Sequence, residues 1–97
     1  MQLMVLVTFD LKNANGADYE KAYEGLAGFG LKKVHNGASG SAVIPTTTVM
    51  GYTEGASCEA IVEAVRNTVG ALFTRLNLRS EIFVAVGANG WWASATT

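Results

Sequence analysis

Asp10 is the residue of this chain whose type and position best suit chemistry. It ends the run Met4-Val5-Leu6-Val7-Thr8-Phe9, which has the apolar, β-branched and aromatic character of a buried strand. Open sheets that carry helices present functional groups where strands end, so a carboxylate at this point suits a metal ion. A carboxylate here can equally accept from the next backbone N–H groups in an Asx-turn, in this chain from Lys12 or Asn13. Both interpretations stay open.

Mg²⁺ is the ion predicted for this position. It prefers octahedral oxygen ligands and usually takes one or two carboxylates together with water and phosphate oxygens. Asp10 alone falls short of that set, so the prediction requires the Asp10 of a second copy of the chain. Thr8 and Asn13, on either side of Asp10, are then expected to orient water or phosphate.

His35 and Cys58 are the other side chains with reactive potential. A histidine beside the turn formers Asn36-Gly37 more often makes a local hydrogen bond than acts as a general base. Cys58 is the single cysteine, which excludes an intramolecular disulfide and any multi-cysteine metal site. It lies in phase with the apolar positions of a predicted helix, which favours a core thiol over a nucleophile.

The composition of charged residues argues against tight binding of a polyanion such as nucleic acid. The net charge is −1, and charged residues make up only 15% of the chain, against roughly 25% in typical domains. The densest basic pair is Lys32-Lys33, which we take as the candidate contact for nucleic acid or another partner. Isolated charges of this kind are most often solvated surface.

The same shortage of charge predicts that apolar surface is covered by a second copy, as a homodimer. Trp91 and Trp92 are adjacent, so in a strand they point to opposite faces and one of them can anchor the dimer interface. No apolar run approaches the ~18–20 residues that span a bilayer. The opening Met-Gln-Leu-Met lacks the basic residues of a signal peptide. We therefore expect a cytoplasmic protein with no membrane contact.

The elements that would position these residues form one domain over 1–97. Helices are predicted over 18–29 and 58–76, with Asp18 and Ser57 as their N-caps. Gly70 interrupts the second helix, and a close approach to the sheet is its expected reason. Strands are predicted over 3–9, 31–35, 46–52, 79–88 and 91–94, the first of them buried on both faces. The order β-α-β-β-α-β with a terminal strand predicts an α+β ferredoxin-like sandwich, with strands one and three central.

Several short motifs resemble a known group of small proteins. The strand ending Val7-Thr8-Phe9-Asp10, the element order and the length resemble the ferredoxin-like superfamily of the second CRISPR-associated protein type, VapD toxins and the GhoS antitoxin. The uncharacterised "SinR family" proteins of that superfamily look most similar. They share a strand ending in Asp-Leu (Asp10-Leu11), an Asp-Tyr-x-x-x-Tyr segment (18–23) and an apolar strand running into a tryptophan-containing tail (82–92).

The resemblance implies a homodimer in which the terminal strand, here 91–94, adds to the sheet of the second copy. It also implies two symmetry-related aspartates at a dimer cleft, one from each copy. In this chain Asp10 is the residue that matches them. Some relatives are Mg²⁺-dependent nucleases, and others bind nucleic acid or protein without cleavage. This chain lacks their arginine-rich first helix and has 36–41 in place of their Gln-x-Ser-Val-Phe type run.

Two function hypotheses follow for a defence or toxin–antitoxin setting. The first is a Mg²⁺-dependent nuclease or nucleic-acid-binding dimer, with Asp10 as catalytic and metal-binding residue. The second is a non-catalytic regulatory or inhibitory protein, such as an antitoxin or a phage or plasmid anti-defence protein. That alternative draws on the acidic pI of about 5.7, the low charge density and the aromatic tail.

Overall fold

The computed structural model describes residues 2–37, 40–43, 47–88, 92, 93 and 95. Their order is β1 (Gln2–Leu11), α1 (Gly16–Ala27), β2 (Val34–Gly37), β3 (Gly40–Val43), β4 (Thr48–Glu54), α2 (Cys58–Arg75) and β5 (Ser80–Ala88). The result is a mixed α+β fold. No helix in this described part of the chain is long and apolar enough to cross a membrane.

β1 is the central strand of a three-stranded antiparallel sheet with the order β4-β1-β5, as the sequence predicts for strand one. A separate hairpin, β2-β3, runs antiparallel over Val34–Val43. One bridge, between Lys32 and Met50, links the segment before β2 to β4. β3 was not predicted, because the glycines and serines of 37–41 favour a flexible loop.

One face of the sheet forms the core. Alternate residues of β1 are buried there, from Leu3 through Val7 to Leu11. Leu26 of α1 and Phe73 of α2 pack into the same cluster, so both helices cover this face. The intervening residues of β1, such as Met4 and Leu6, are only half-buried. The prediction that β1 is buried on both faces is therefore wrong in the chain alone.

The start of α1 corrects one prediction. Asn15, not Asp18, is the N-cap. The Asn15 side chain accepts from the backbone N–H of Asp18 at 3.0 Å, and the Asp18 carboxylate accepts from the backbone N–H of Asn15 at 3.1 Å. The two bonds together form a capping box, with Asn15 as the N-cap and Asp18 as the third helical residue. The helix therefore begins at Gly16, two residues before the predicted start.

The ends of α2 agree more closely with the sequence. Ser57 is its N-cap, and its hydroxyl accepts from the backbone N–H of Ala60 at 3.3 Å. At the other end Leu78 N–H donates to the carbonyl of Phe73, which is the long bond of a Schellman motif. Asn77 takes the left-handed conformation, φ +60°, that this motif requires.

The terminal strand predicted over 91–94 lies largely outside the described residues. Trp92 and Ala93 are described, and neither belongs to a strand. The Trp92 indole N–H donates to the Tyr52 hydroxyl at 3.1 Å. Trp92 therefore contacts β4, which lies on the other side of β1 from β5.

Candidate functional site

A shallow cleft of about 450 Å³ lies at the end of β1. We call it the end cleft, and it is lined by Thr8, Phe9, Asp10, Thr47, Glu81, Ile82 and Phe83. β1 ends here beside the start of β5, and Asp10 stands directly across from Glu81 in the strand register. The sheet thus brings two carboxylates to one edge of the cleft, although they are 71 positions apart in the chain.

The opposite wall of the end cleft is a network around Thr47. The Thr47 carbonyl accepts from the backbone N–H of Phe9 at 2.9 Å and from the Thr8 hydroxyl at 3.2 Å. The Thr47 N–H donates to the Tyr23 hydroxyl at 2.8 Å. Thr47 adopts a left-handed backbone, φ +65°, which is a strained conformation for a β-branched residue. These bonds from β1 and α1 hold it there.

Lys12 sets the electrostatics of this edge. Its ammonium group lies 2.7 Å from a carboxylate oxygen of Glu81. The hydrogen bond and charge of Glu81 raise the pKa of Lys12, with a smaller contribution from Asp10. In return Lys12 lowers the pKa of Glu81. Glu81 is therefore held as a carboxylate with a cation already beside it.

Asp10 is exposed at the mouth of the end cleft. The Asx-turn to Lys12 is not formed, because the Lys12 N–H donates to the carbonyl of Arg79 instead. The Asp10 carboxylate makes no hydrogen bond to another described residue. Its position leaves it open to solvent and to a partner.

These residues do not form a Mg²⁺ site within one chain. Among the described residues, no three histidine, cysteine or acidic side chains come together as a metal-binding group. Glu81 is occupied by Lys12, and the Thr8 hydroxyl and Thr47 carbonyl are engaged with each other. Asp10 remains as a single carboxylate, short of what Mg²⁺ usually takes.

The face of the sheet away from the helices, which we call the open face, carries an apolar patch. The patch consists of Met4 and Leu6 of β1, Tyr52 of β4, and Phe83 and Ala85 of β5, which the strand registers place on this face. Phe83 is 65% exposed and Tyr52 is 45% exposed. The acidic residues that β1 and β5 present on this face, Asp10 and Glu81, lie at its end-cleft edge.

His35 and Trp92 both contact Tyr52 at the β4 side of this patch, in a cluster that the sequence did not predict. His35 Nε2 lies 3.0 Å from the carbonyl oxygen of Lys32 and 2.5 Å from that of Met50. Because carbonyls only accept, Nε2 carries a proton. The His35 ring meets the Tyr52 ring edge-on at 6.4 Å. The histidine thus has a local structural role at the β4 edge.

The sequence-predicted site residues separate in the structure. Thr8 and Asp10 share the end cleft, while the remaining binding candidates are absent from its lining. Asn13 sits in an exposed turn with φ +51°. Lys32 bridges β4 through its backbone, and the Lys33 ammonium lies 4.2 Å from the centre of the Tyr23 ring.

The tryptophan and cysteine candidates do not line the end cleft either. Trp92 contacts Tyr52 within the chain, and Trp91 lies outside the described residues. Cys58 is half-buried at the start of α2. The exposed Phe83 was missed as a site residue because strand alternation alone does not show which sheet face stays uncovered.

Comparison with known proteins adds no identity. No protein-family model matches the chain, and no curated protein is significantly similar to it.

Proposed function

We propose that this protein is a small non-catalytic binding protein that engages another protein through the apolar patch of its open face. The observation that carries the proposal is the exposure of Phe83 and Tyr52 on one flat sheet surface. Contiguous exposed apolar patches on small proteins mark interaction sites. A large exposed aromatic side chain is a common anchor of such contacts, and Phe83 on β5 supplies one here.

The chemistry of the patch indicates what kind of surface would bind to it. Apolar side chains occupy its middle, and acidic groups lie at the end-cleft edge, where Asp10 has no hydrogen bond to another described residue. A complementary surface would present an apolar centre with a basic residue at one side. A regulatory or inhibitory role, as an antitoxin or anti-defence protein, is the activity such a surface would serve.

The fold proposed with this function is ferredoxin-like, and the chain is proposed to act as a homodimer. The Lys32–Met50 bridge supports that topology, because it sets the segment before β2 beside β4. Extending the sheet there gives the order expected for a β-α-β-β-α-β sandwich. The resemblance of Asp10-Leu11 and 18–23 to the superfamily named above supports a defence or toxin–antitoxin setting in the cytoplasm.

Co-purification tests the binding function. Tagged wild-type protein, Phe83→Asp and the control Asn67→Asp, on the exposed side of α2, are recovered from the native host. A defined protein should accompany the wild type and the control and be lost with Phe83→Asp. Equal recovery with all three variants, or recovery of this chain alone, would contradict the proposal.

A Mg²⁺-dependent nuclease remains the second candidate, favoured by the exposed carboxylate of Asp10 in a cleft with a strained residue. It requires two copies to bring their Asp10 residues together, since one chain supplies too few ligands. Cleavage of RNA and DNA is measured with Mg²⁺ or Mn²⁺ for wild type and Asp10→Asn. This candidate predicts loss of at least about tenfold activity in the variant, and the absence of metal-dependent cleavage by the wild type would exclude it.

A further inference from the structure

β5 is an edge strand of the sheet that the described residues form. It runs for nine residues, Ser80–Ala88, in uninterrupted register with β1. No other strand in the described part of the chain pairs with it. Natural edge strands are usually blunted by proline, lysine, a bulge or a covering segment. β5 has no proline or lysine, its register shows no bulge, and Glu81 is its single charge.

The backbone groups on the outer side of β5 can be assigned from the neighbouring bonds. The Lys12 N–H donates to the Arg79 carbonyl, and the Phe9 N–H turns the other way, to Thr47 of the β4 side. Bonding alternates along an antiparallel strand. The N–H and C=O groups of Ile82, Val84 and Val86 therefore point away from β1, as do those of Ser80 and Ala88.

We propose that a second copy of the chain pairs with this edge, β5 against β5, antiparallel about a two-fold axis at Val84. The two three-stranded sheets then join into one continuous sheet with a shared open face. The five outward residues of each strand supply about ten backbone hydrogen bonds across the junction. An isologous contact of this kind closes on itself and leaves no further copy to add.

Side chains and charge fit this register. Centring on Val84 sets Phe83 opposite Ala85 of the second copy, so a large side chain meets a small one. Glu81 is set opposite Gly87 of the second copy, and the two Glu81 carboxylates are kept at opposite ends of the junction. Like charges directly opposite one another would weaken the pairing, and this arrangement avoids them.

Gly70 of α2 provides a second, independent observation. It lies inside the helix, where glycine costs about 1 kcal/mol relative to alanine. A Cβ built on Gly70 meets nothing within 4 Å, so no contact within the described part of the chain requires it. Around the helix, Gly70 lies on the side of Phe73 away from Leu72, the residue that packs against Gly25 of α1. That flank faces the β5 side, and a second α2 can approach there.

Edge pairing has a consequence for Asp10. The two β1 strands would lie three strand spacings apart, about 14 Å, with a further offset of about 20 Å along the strands. The two Asp10 carboxylates would then stand roughly 25 Å apart and could not share one metal ion. The inference does not rest on the proposed binding function, and it separates that function from the nuclease candidate.

Sedimentation velocity over a concentration series tests the pairing. Wild type and Ala71→Lys, a control on the exposed side of α2, should form dimers with the same dissociation constant. Gly70→Lys should raise that constant at least tenfold, because the lysine enters the junction. A wild type that stays monomeric at 0.5 mM, or a Gly70→Lys variant that dimerises like the control, would overturn the proposal.

Amide hydrogen exchange on the wild type gives a readout that needs no variant. In the dimer the outward amides of Ile82, Val84 and Val86 should be protected like the inward amides of Phe83 and Ala85. Their protection should fall on dilution, whereas that of the inward amides should not. Alternating protection along β5 at concentrations where the protein is a dimer would overturn the edge pairing and leave the apolar patch as the binding surface.

Discussion

The end cleft depends on a few side chains that fix backbone rather than perform chemistry. The Tyr23 hydroxyl and the Thr8 hydroxyl hold Thr47 from two sides, through bonds of 2.8 and 3.2 Å. A strained residue persists only where its surroundings over-determine it. The carboxylates of the cleft are exposed and largely solvated by comparison. At this scale the cleft is rigid on its Thr47 wall and open on its Asp10 wall.

The Lys12–Glu81 pair predicts a specific titration. Because Lys12 lowers the pKa of Glu81, replacing it in Lys12→Met should return that pKa toward the ordinary carboxyl value. Carboxyl NMR titration measures the change, and Lys21→Met on exposed α1 is the control. An unchanged Glu81 pKa in Lys12→Met would show that the pair does not persist in solution.

The same pair fixes the sign of a small pH effect on stability. The lowered Glu81 pKa gives stabilisation that is present above the unfolded carboxyl pKa of about 4.3 and is lost as pH falls through the lowered value. The raised Lys12 pKa gives stabilisation that is lost only as pH rises above the ordinary lysine range. Lys12→Met should therefore lower the free energy of unfolding between these two pH limits and leave it unchanged outside them. The decrease should be small, since exposed pairs contribute little.

Stability is predicted to depend on how well the residue at position 77 tolerates a left-handed backbone. Asn77 occupies the left-handed position after α2 at φ +60°, where glycine carries no steric cost. Asn77→Gly should leave stability unchanged or raise it slightly, while Asn77→Val should lower the free energy of unfolding by about 1–2 kcal/mol. Urea denaturation measures both changes. Equal stability of the two variants would contradict the assigned helix end.

At the scale of elements, strong local patterns predicted α2, β1 and β5. In α2 a helical apolar periodicity follows a good N-cap, Ser57, and in β1 and β5 apolar and β-branched residues predominate. The start of α1 was missed because both Asn15 and Asp18 are capping residues, and only their geometry shows which one leads. β3 was missed because glycine and serine are poor strand formers and pairing with β2 overrides that preference. Phe83 was placed in a strand, but the strand pattern does not show that Phe83 is 65% exposed while Met50, on the same face of the sheet, is 1% exposed.

Two glycines in different elements should respond to alanine with opposite sign. A Cβ on Gly51 of β4 would collide with the carbonyl oxygen of Gly30, so Gly51→Ala should lower the free energy of unfolding by about 1–3 kcal/mol. Gly70→Ala should raise it by about 1 kcal/mol in the monomer, because space is open there. The close approach expected at Gly70 is found at Gly51 instead.

Both unfolding free energies are best measured at low micromolar concentration, so that association does not contribute. Destabilisation by Gly70→Ala under those conditions would mean that Gly70 has an internal packing role after all. A neutral Gly51→Ala would mean that the connection after α1 can move away from β4.

For the whole molecule, the structure separates two kinds of surface. The helix side is sealed by a continuous core, while the open face presents aromatic and aliphatic side chains with acidic groups at one edge. An enzyme of this size would be expected to converge several reactive groups on one cleft. In the end cleft, Asp10 is the carboxylate that no described residue pairs with, and the proposed binding role uses the apolar patch of the open face instead.

Site-specific photo-crosslinking in the native host tests binding through the open face most directly. A photoreactive phenylalanine analogue is placed at Phe83, and a matched variant carries it at Asn67 on the exposed side of α2. We predict that position 83 captures a defined protein other than this chain, identified by mass spectrometry, whereas position 67 yields only background. Indistinguishable captures from the two positions would contradict the account.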